Sequence, residues 1–113
     1  MAGGLIARGD FVLAAAPGDY GKPRPVLVVQ SDLFAGLPSI AVCPLTSFLR
    51  DDAGLLRITV EPNPANGLRK TSQIAIDKTA VLPRTRFGEV IGKAEGELML
   101  RVTRAFAVFY GLA

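Results

Sequence analysis

Glycine and proline cut this chain into short pieces, and that punctuation limits its fold more than any other feature. Twelve Gly and eight Pro are spread through 113 residues. The apolar runs between them are short and rich in Val, Ile and Leu, which favours strands. Phe11 to Ala15 reads as a first strand, and Ala16 to Pro23 as a turn-rich loop after it. Pro25 to Gln30 is nearly all apolar, which suits a strand buried on both faces. Ser31-Asp32 offers a cap for a short helical turn through Leu33, Phe34 and Ala35, stopped at Gly36. Ile40 to Leu45 is another apolar run with Pro44 inside it. Proline cannot donate to a ladder, so this predicts an edge strand or a bulge. Leu56 to Val60 alternates as a half-buried strand, and Pro62 to Gly67 reads as a plain loop. Ser72 to Ala80 alternates around Ile74 and Ile76, with Gln73, Ala75 and Asp77 on the opposite face. Glu89 to Gly92 reads as a short last strand.

The pattern changes once. Leu98, Met99, Val102, Ala105, Phe106 and Phe109 recur at helical spacing, with Glu97, Arg101 and Arg104 on the other face. This predicts one amphipathic helix of about four turns. Glu95 and Glu97 suit its N-terminus, and Gly111 suits a stop. The expected fold is mainly β with a C-terminal α-helix: a small, strongly bent antiparallel barrel plugged by that helix.

Length allows one domain, residues 1–113. There is no histidine and only one cysteine, Cys43. That excludes an internal disulfide framework, multi-cysteine zinc sites, His-based metal sites and every Ser-His or Cys-His nucleophile scheme. Walker A and GxGxxG motifs are absent. The Leu5-Ile6-Ala7 patch is too short for a signal peptide or a membrane span, so a cytoplasmic protein is expected. The net charge of +3 is weak evidence for a polyanion partner.

Four clusters carry chemistry. In Gly21-Lys22-Pro23-Arg24-Pro25, two prolines fix Arg24 at a strand entrance. It is either a solvated loop end or a rigid phosphate clamp, with Lys22 as a second cation and Tyr20 as a surface for a base. Cys43-Pro44-Leu45-Thr46-Ser47 puts two hydroxyls past a strand end, to cap a turn or to hydrogen-bond phosphate. Cys43 itself reads as a small buried hydrophobe. Gln73 to Lys78 places Asp77 as a candidate general base on what is otherwise a solvated strand face. Arg84, Arg86 and Lys93 form a charge cluster that is either solvated or a basic patch.

Taken together, the chain resembles the MazF/PemK/Kid-type toxins, the mRNA interferases of type II toxin–antitoxin systems. The matching pieces are Arg8-Gly9-Asp10, the run from Gly21 through Arg24 to Asp32, Pro44-Leu45-Thr46-Ser47, and Ile76-Asp77. The resemblance implies an SH3-like, CcdB/PemK-like barrel, a homodimer, and metal-independent, sequence-specific cleavage of single-stranded mRNA by attack of the 2′-OH, with no cofactor. It implies Arg24 and Thr46 as catalytic, and an RNA-binding surface containing Tyr20, Lys22, Ser47, Gln73, Asp77 and Lys78. One branch of the family uses an Arg-x-Asp pair where this chain reads Ala75-Ile76-Asp77, so the arginine is missing. The dimer surface is expected from Ile40 to Leu45 and the outer side of the helix. The expected antitoxin has an acidic, disordered tail that covers Arg24 by way of the Ala16 to Pro23 loop. CcdB-type gyrase poisons share the implied fold and a V-Q-S-D segment like Val29 to Asp32. Their activity lies in an aromatic C-terminal end, and Phe109-Tyr110 offers one here, which makes gyrase inhibition the alternative.

Overall fold

The computed structural model describes residues 6–15, 22–52 and 54–113. Tyr20, and all of the first loop except Lys22 and Pro23, lie outside them. Seven strands precede one helix: β1 (Asp10–Ala14), β2 (Arg24–Val28), β3 (Ser39–Thr46), β4 (Arg57–Val60), β5 (Ser72–Ala75), β6 (Ala80–Pro83), β7 (Phe87–Lys93) and α1 (Gly96–Phe109). All pairings are antiparallel, in the order β4-β5-β3-β2-β1-β7, with β6 also on β3. Among the described residues β4 and β7 do not pair, so the sheet bends without closing into the expected barrel.

The apolar run in β2 is buried on both faces, as its composition predicts. Leu27 packs with Phe11, Cys43, Ile74 and Ile76 under the helix residues Leu98, Val102 and Ala105. Val26 and Val28 point the other way, into a second core with Val12, Ile40, Val42 and Leu82. One strand pair thus stitches two cores together.

β3 is neither an edge nor a bulged end. It pairs with β2 through Val42 to Pro44, with β6 through Ser39 to Val42, and with β5 through Leu45 and Thr46. Pro44 falls where β3 has left β6 and has not yet met β5, so its missing N–H interrupts no ladder on that side. Ile40, Val42 and Cys43 are buried within the chain, while Ala41, Pro44 and Leu45 keep partly exposed apolar surface.

The alternation from Ser72 to Ala80 breaks after four residues. Ser72 to Ala75 are all buried, Ile76–Lys78 form a 3-10 turn, and Ala80 begins the separate strand β6. The expected solvated face is therefore absent, because β5 is covered on both sides. The loop before β5 is also more than a plain connection. Asn63 and Asn66 exchange side-chain to backbone hydrogen bonds at 3.1 and 2.8 Å, and Asn66 donates to the Glu61 carbonyl at 2.9 Å. Gly67 has φ +69°, and a Cβ there would run into the Ile91 carbonyl of β7.

Helix α1 buries Leu98, Val102 and Ala105, while Phe109 stays largely exposed at its end. Gly111 (φ +74°) donates to Val108 at 3.1 Å and Leu112 to Ala107 at 2.7 Å, the paired bonds that close a helix at a left-handed glycine. Arg8 ties the helix to the sheet, donating to the Val29 carbonyl and, at 2.9 Å, to Thr103 Oγ1. Buried Asp10 accepts from the Ala7 N–H at 2.9 Å and pairs with Lys93 of β7 at 3.3 Å. No helix among the described residues is long and apolar enough to cross a membrane.

Candidate active site

β2 begins at Arg24 and β3 ends at Thr46. The register Val26 to Pro44 and Leu27 to Cys43, continued by two places, sets these residues across from one another at the open end of the strand pair. Both line one groove of about 330 Å³, with Pro25, Pro44, Ser47 and Phe48. Arg24 opens β2 between the prolines at 23 and 25, exposed beside exposed Lys22.

Thr46 Oγ1 accepts the Phe48 N–H at 3.1 Å. That bond fixes the hydroxyl oxygen and leaves its proton to be donated. Two readings of this segment, turn cap and phosphate donor, are therefore compatible in one side chain. Ser47 is exposed on the same groove.

Gln73 lies across from Thr46 on β5. It is buried, and its amide is occupied. It accepts the Arg50 N–H at 3.0 Å and donates to the Arg50 carbonyl at 3.0 Å and to Thr59 at 3.2 Å. Its place is beneath the site, holding the segment after Thr46 in position.

Asp77 is gripped by a residue that sequence reasoning passed over. Arg57 of β4 pairs directly with Ala75 of β5, and its Nη1 reaches the Asp77 carboxylate. The arginine missing from position 75 is thus replaced in space by one from the neighbouring strand. No local spacing marks this; only the β4–β5 register does. Arg57, Lys78, Arg50 and Phe48 line a second groove of about 340 Å³, which shares Pro44, Leu45, Thr46 and Phe48 with the first. Exposed Arg50 chelates Asp52 at 3.1 and 3.3 Å, and that bond holds the Asp52 carboxyl below its ordinary range. The Asp52 and Asp77 carboxylates are thus each held by an arginine, and exposed Lys78 lies on the second groove.

Two other expectations resolve differently. Burial pushes the Cys43 thiol up to about 11, against a weak contact to Thr79 at 3.6 Å, so it is a buried neutral hydrophobe as expected. Arg84, Arg86 and Lys93 do not gather at the grooves. Arg84 bonds the Leu37 carbonyl at 2.7 Å, Arg86 the Ala15 carbonyl at 3.2 Å, and Lys93 pairs with Asp10.

The chain and its fold have relatives. The chain is 46% identical over 109 residues, 96% of its length and 99% of the relative's, to a protein of Mycolicibacterium smegmatis described as a probable endoribonuclease MazF. Its fold matches that of the Mycobacterium tuberculosis toxin MazF-mt6 (TM-score 0.77, 23% identity, 92% of this chain and 98% of that one). It also matches a mycobacterial endoribonuclease solved with its cognate antitoxin (TM-score 0.79, 19% identity, 96% and 97%), and MazF from a MazE–MazF crystal structure of Deinococcus radiodurans (TM-score 0.79, 20% identity, 96% and 97%). A family model covers residues 7–110, from the Arg8 tie to the end of the helix, and by that match the chain belongs to the PemK-like, MazF-like toxins of type II toxin–antitoxin systems.

Proposed function

We infer that this toxin is an endoribonuclease that cuts single-stranded mRNA at short sequences without a metal ion. The observation that carries this reading is the meeting of Arg24 and Thr46 across the open end of β2 and β3, in one groove. RNA brings its own nucleophile. The 2′-oxygen attacks the adjacent phosphorus, the 5′-oxygen leaves, and a 2′,3′-cyclic phosphate results. Negative charge gathers on the non-bridging oxygens in the transition state. Arg24 neutralises it as a permanent cation, and the Thr46 hydroxyl donates to it. Arginine is a poor proton donor because its pKa exceeds about 12. Asp77 is committed to Arg57 and lines neither groove. Proton transfer therefore passes through water. DNA lacks the 2′-OH and is no substrate.

The decisive experiment is cleavage of a defined RNA in excess chelator. Wild-type protein should release ends bearing 2′,3′-cyclic phosphate. Folded Arg24→Ala should lose at least about a hundredfold in rate, the scale of one strong electrostatic stabiliser. Near-normal cleavage by that variant would remove Arg24 from the mechanism.

The partners follow from the same surface. An antitoxin with an acidic, disordered tail complements the cations at Lys22, Arg24 and Lys78 and competes with RNA for them. A homodimer is proposed through the outer side of α1, where Leu100 and Val108 are exposed. The exposed Phe109-Tyr110 end keeps gyrase inhibition as the alternative. Relaxed plasmid incubated with gyrase, with and without the protein, separates the two readings.

A further inference from the structure

Arg57 is the most buried of the cations around the two grooves, with 9% of its side chain exposed. Both of its hydrogen bonds leave from Nη1, to the Leu56 carbonyl at 3.1 Å and to Asp77. Among the described residues no buried side-chain nitrogen or oxygen lacks a partner. The two bonds of Arg57 use neither Nε nor Nη2, these atoms are not fully enclosed, and Arg57 lines an open groove. Asp77 holds the guanidinium through Nη1, which leaves Nε and Nη2 available to a ligand in that groove. A guanidinium fixed this way is pre-organised for a phosphate.

Exposed Lys78 lies on the same groove. On its rim stands Phe48, 76% exposed, and Phe48 also lines the groove of Arg24 and Thr46. An aromatic ring left in water between two cationic grooves has the form of a stacking platform between two backbone contacts.

We propose that the groove of Arg57, Lys78 and Phe48 is a second nucleotide subsite, in which Arg57 and Lys78 bind the phosphate next to the one being cut and Phe48 stacks on a base between them. The proposal rests on the reading of the chain as an RNA-cutting enzyme. Arg57 is a binding residue and Asp77 a positioning residue, and neither touches the reacting bond.

The test is steady-state cleavage of a mixed-sequence, end-labelled single-stranded RNA across a salt series. Arg57→Ala and Lys78→Ala should each raise KM about tenfold with kcat nearly unchanged. Each should also flatten the dependence of log(kcat/KM) on log salt by about 0.7, the share of one phosphate contact on a single strand. Arg57→Lys should restore the slope. Phe48→Ala should raise KM about tenfold, the scale of one lost stack, with the slope unchanged. Wild-type KM and slope in folded Arg57→Ala would overturn the subsite. So would wild-type values in Lys78→Ala and Phe48→Ala, whose side chains are exposed and whose replacement does not burden the fold. If the wild type cuts no RNA at all, the reading of function fails and the subsite falls with it. Cleavage that ignores these three side chains sinks the subsite alone.

Discussion

Arg57 and Asp77 belong to different elements, a strand and a 3-10 turn, and form an ion pair in which the guanidinium is nearly enclosed and the carboxylate about a quarter exposed. Removing one partner of such a pair leaves the other charge partly desolvated, which costs more than the pair contributes. Asp77→Ala should therefore destabilise by about 1–3 kcal/mol, below the range for fully buried pairs because water reaches the carboxylate. The Arg57→Ala/Asp77→Ala double variant should lose less than the sum of the singles. Urea midpoints for the four proteins measure the coupling. Strict additivity would mean that the pair carries no energy.

Thr46 joins loop geometry to chemistry, so its hydroxyl and its shape can be separated. Thr46→Ser keeps the oxygen that accepts the Phe48 N–H and should keep most activity. Thr46→Val keeps the shape and removes the donor. It should lower kcat about tenfold to a hundredfold, the effect of one hydrogen bond to a charged group. Equal kcat in both variants would remove the Thr46 hydroxyl from the mechanism.

Gly67 and Gly36 make a contrast in backbone freedom. Alanine at Gly67 meets both a positive φ and the Ile91 carbonyl, so Gly67→Ala should cost about 3 kcal/mol or more. Gly36 has open space and no positive φ, so Gly36→Ala should be neutral or stabilise by about 0.4–1 kcal/mol. Thermal unfolding of both variants provides the comparison.

The Cys43 thiol should resist a disulfide reagent at pH 8 in the native protein and react at once in denaturant. Its folded value, about 11, lies above the ordinary thiol value of 9.0, so the folded state holds the proton more tightly. Its contribution is complete below the unfolded value and is lost as pH rises from about 9 to about 11. Stability should fall across that window, and rapid native-state labelling at pH 8 would contradict the burial.

The run of short strands, the closing helix and its glycine stop were legible because each is written in local spacing. The run in β2 announced burial on both faces, and Leu27 and Val28 occupy opposite cores. Pro44 misled because proline reports only a missing donor. It cannot say that two neighbouring strands would leave a gap at that residue. The alternation through Ala80 concealed the turn at Asp77, where buried Ile76 kept the apolar rhythm while the backbone changed direction. Arg24 and Thr46 were visible as motif residues, one between two prolines and the other two places after Pro44. Arg57 and Gln73 were not visible in their roles, because these depend on cross-strand partners that no short window contains.

The pairing of β1 with β7 brings Asp10 beside Lys93, so one strand waits for the other until most of the chain has been synthesised. Every catalytic candidate lies upstream of β7, yet Phe11, Leu27 and Ile74 are covered by residues of α1 that come later still. A nascent chain long enough to contain Arg24 and Thr46 therefore cannot yet hold them in place. A chain that ends before residue 87 lacks β7 and α1, and leaves Phe11, Leu27 and Ile74 without the helix that covers them.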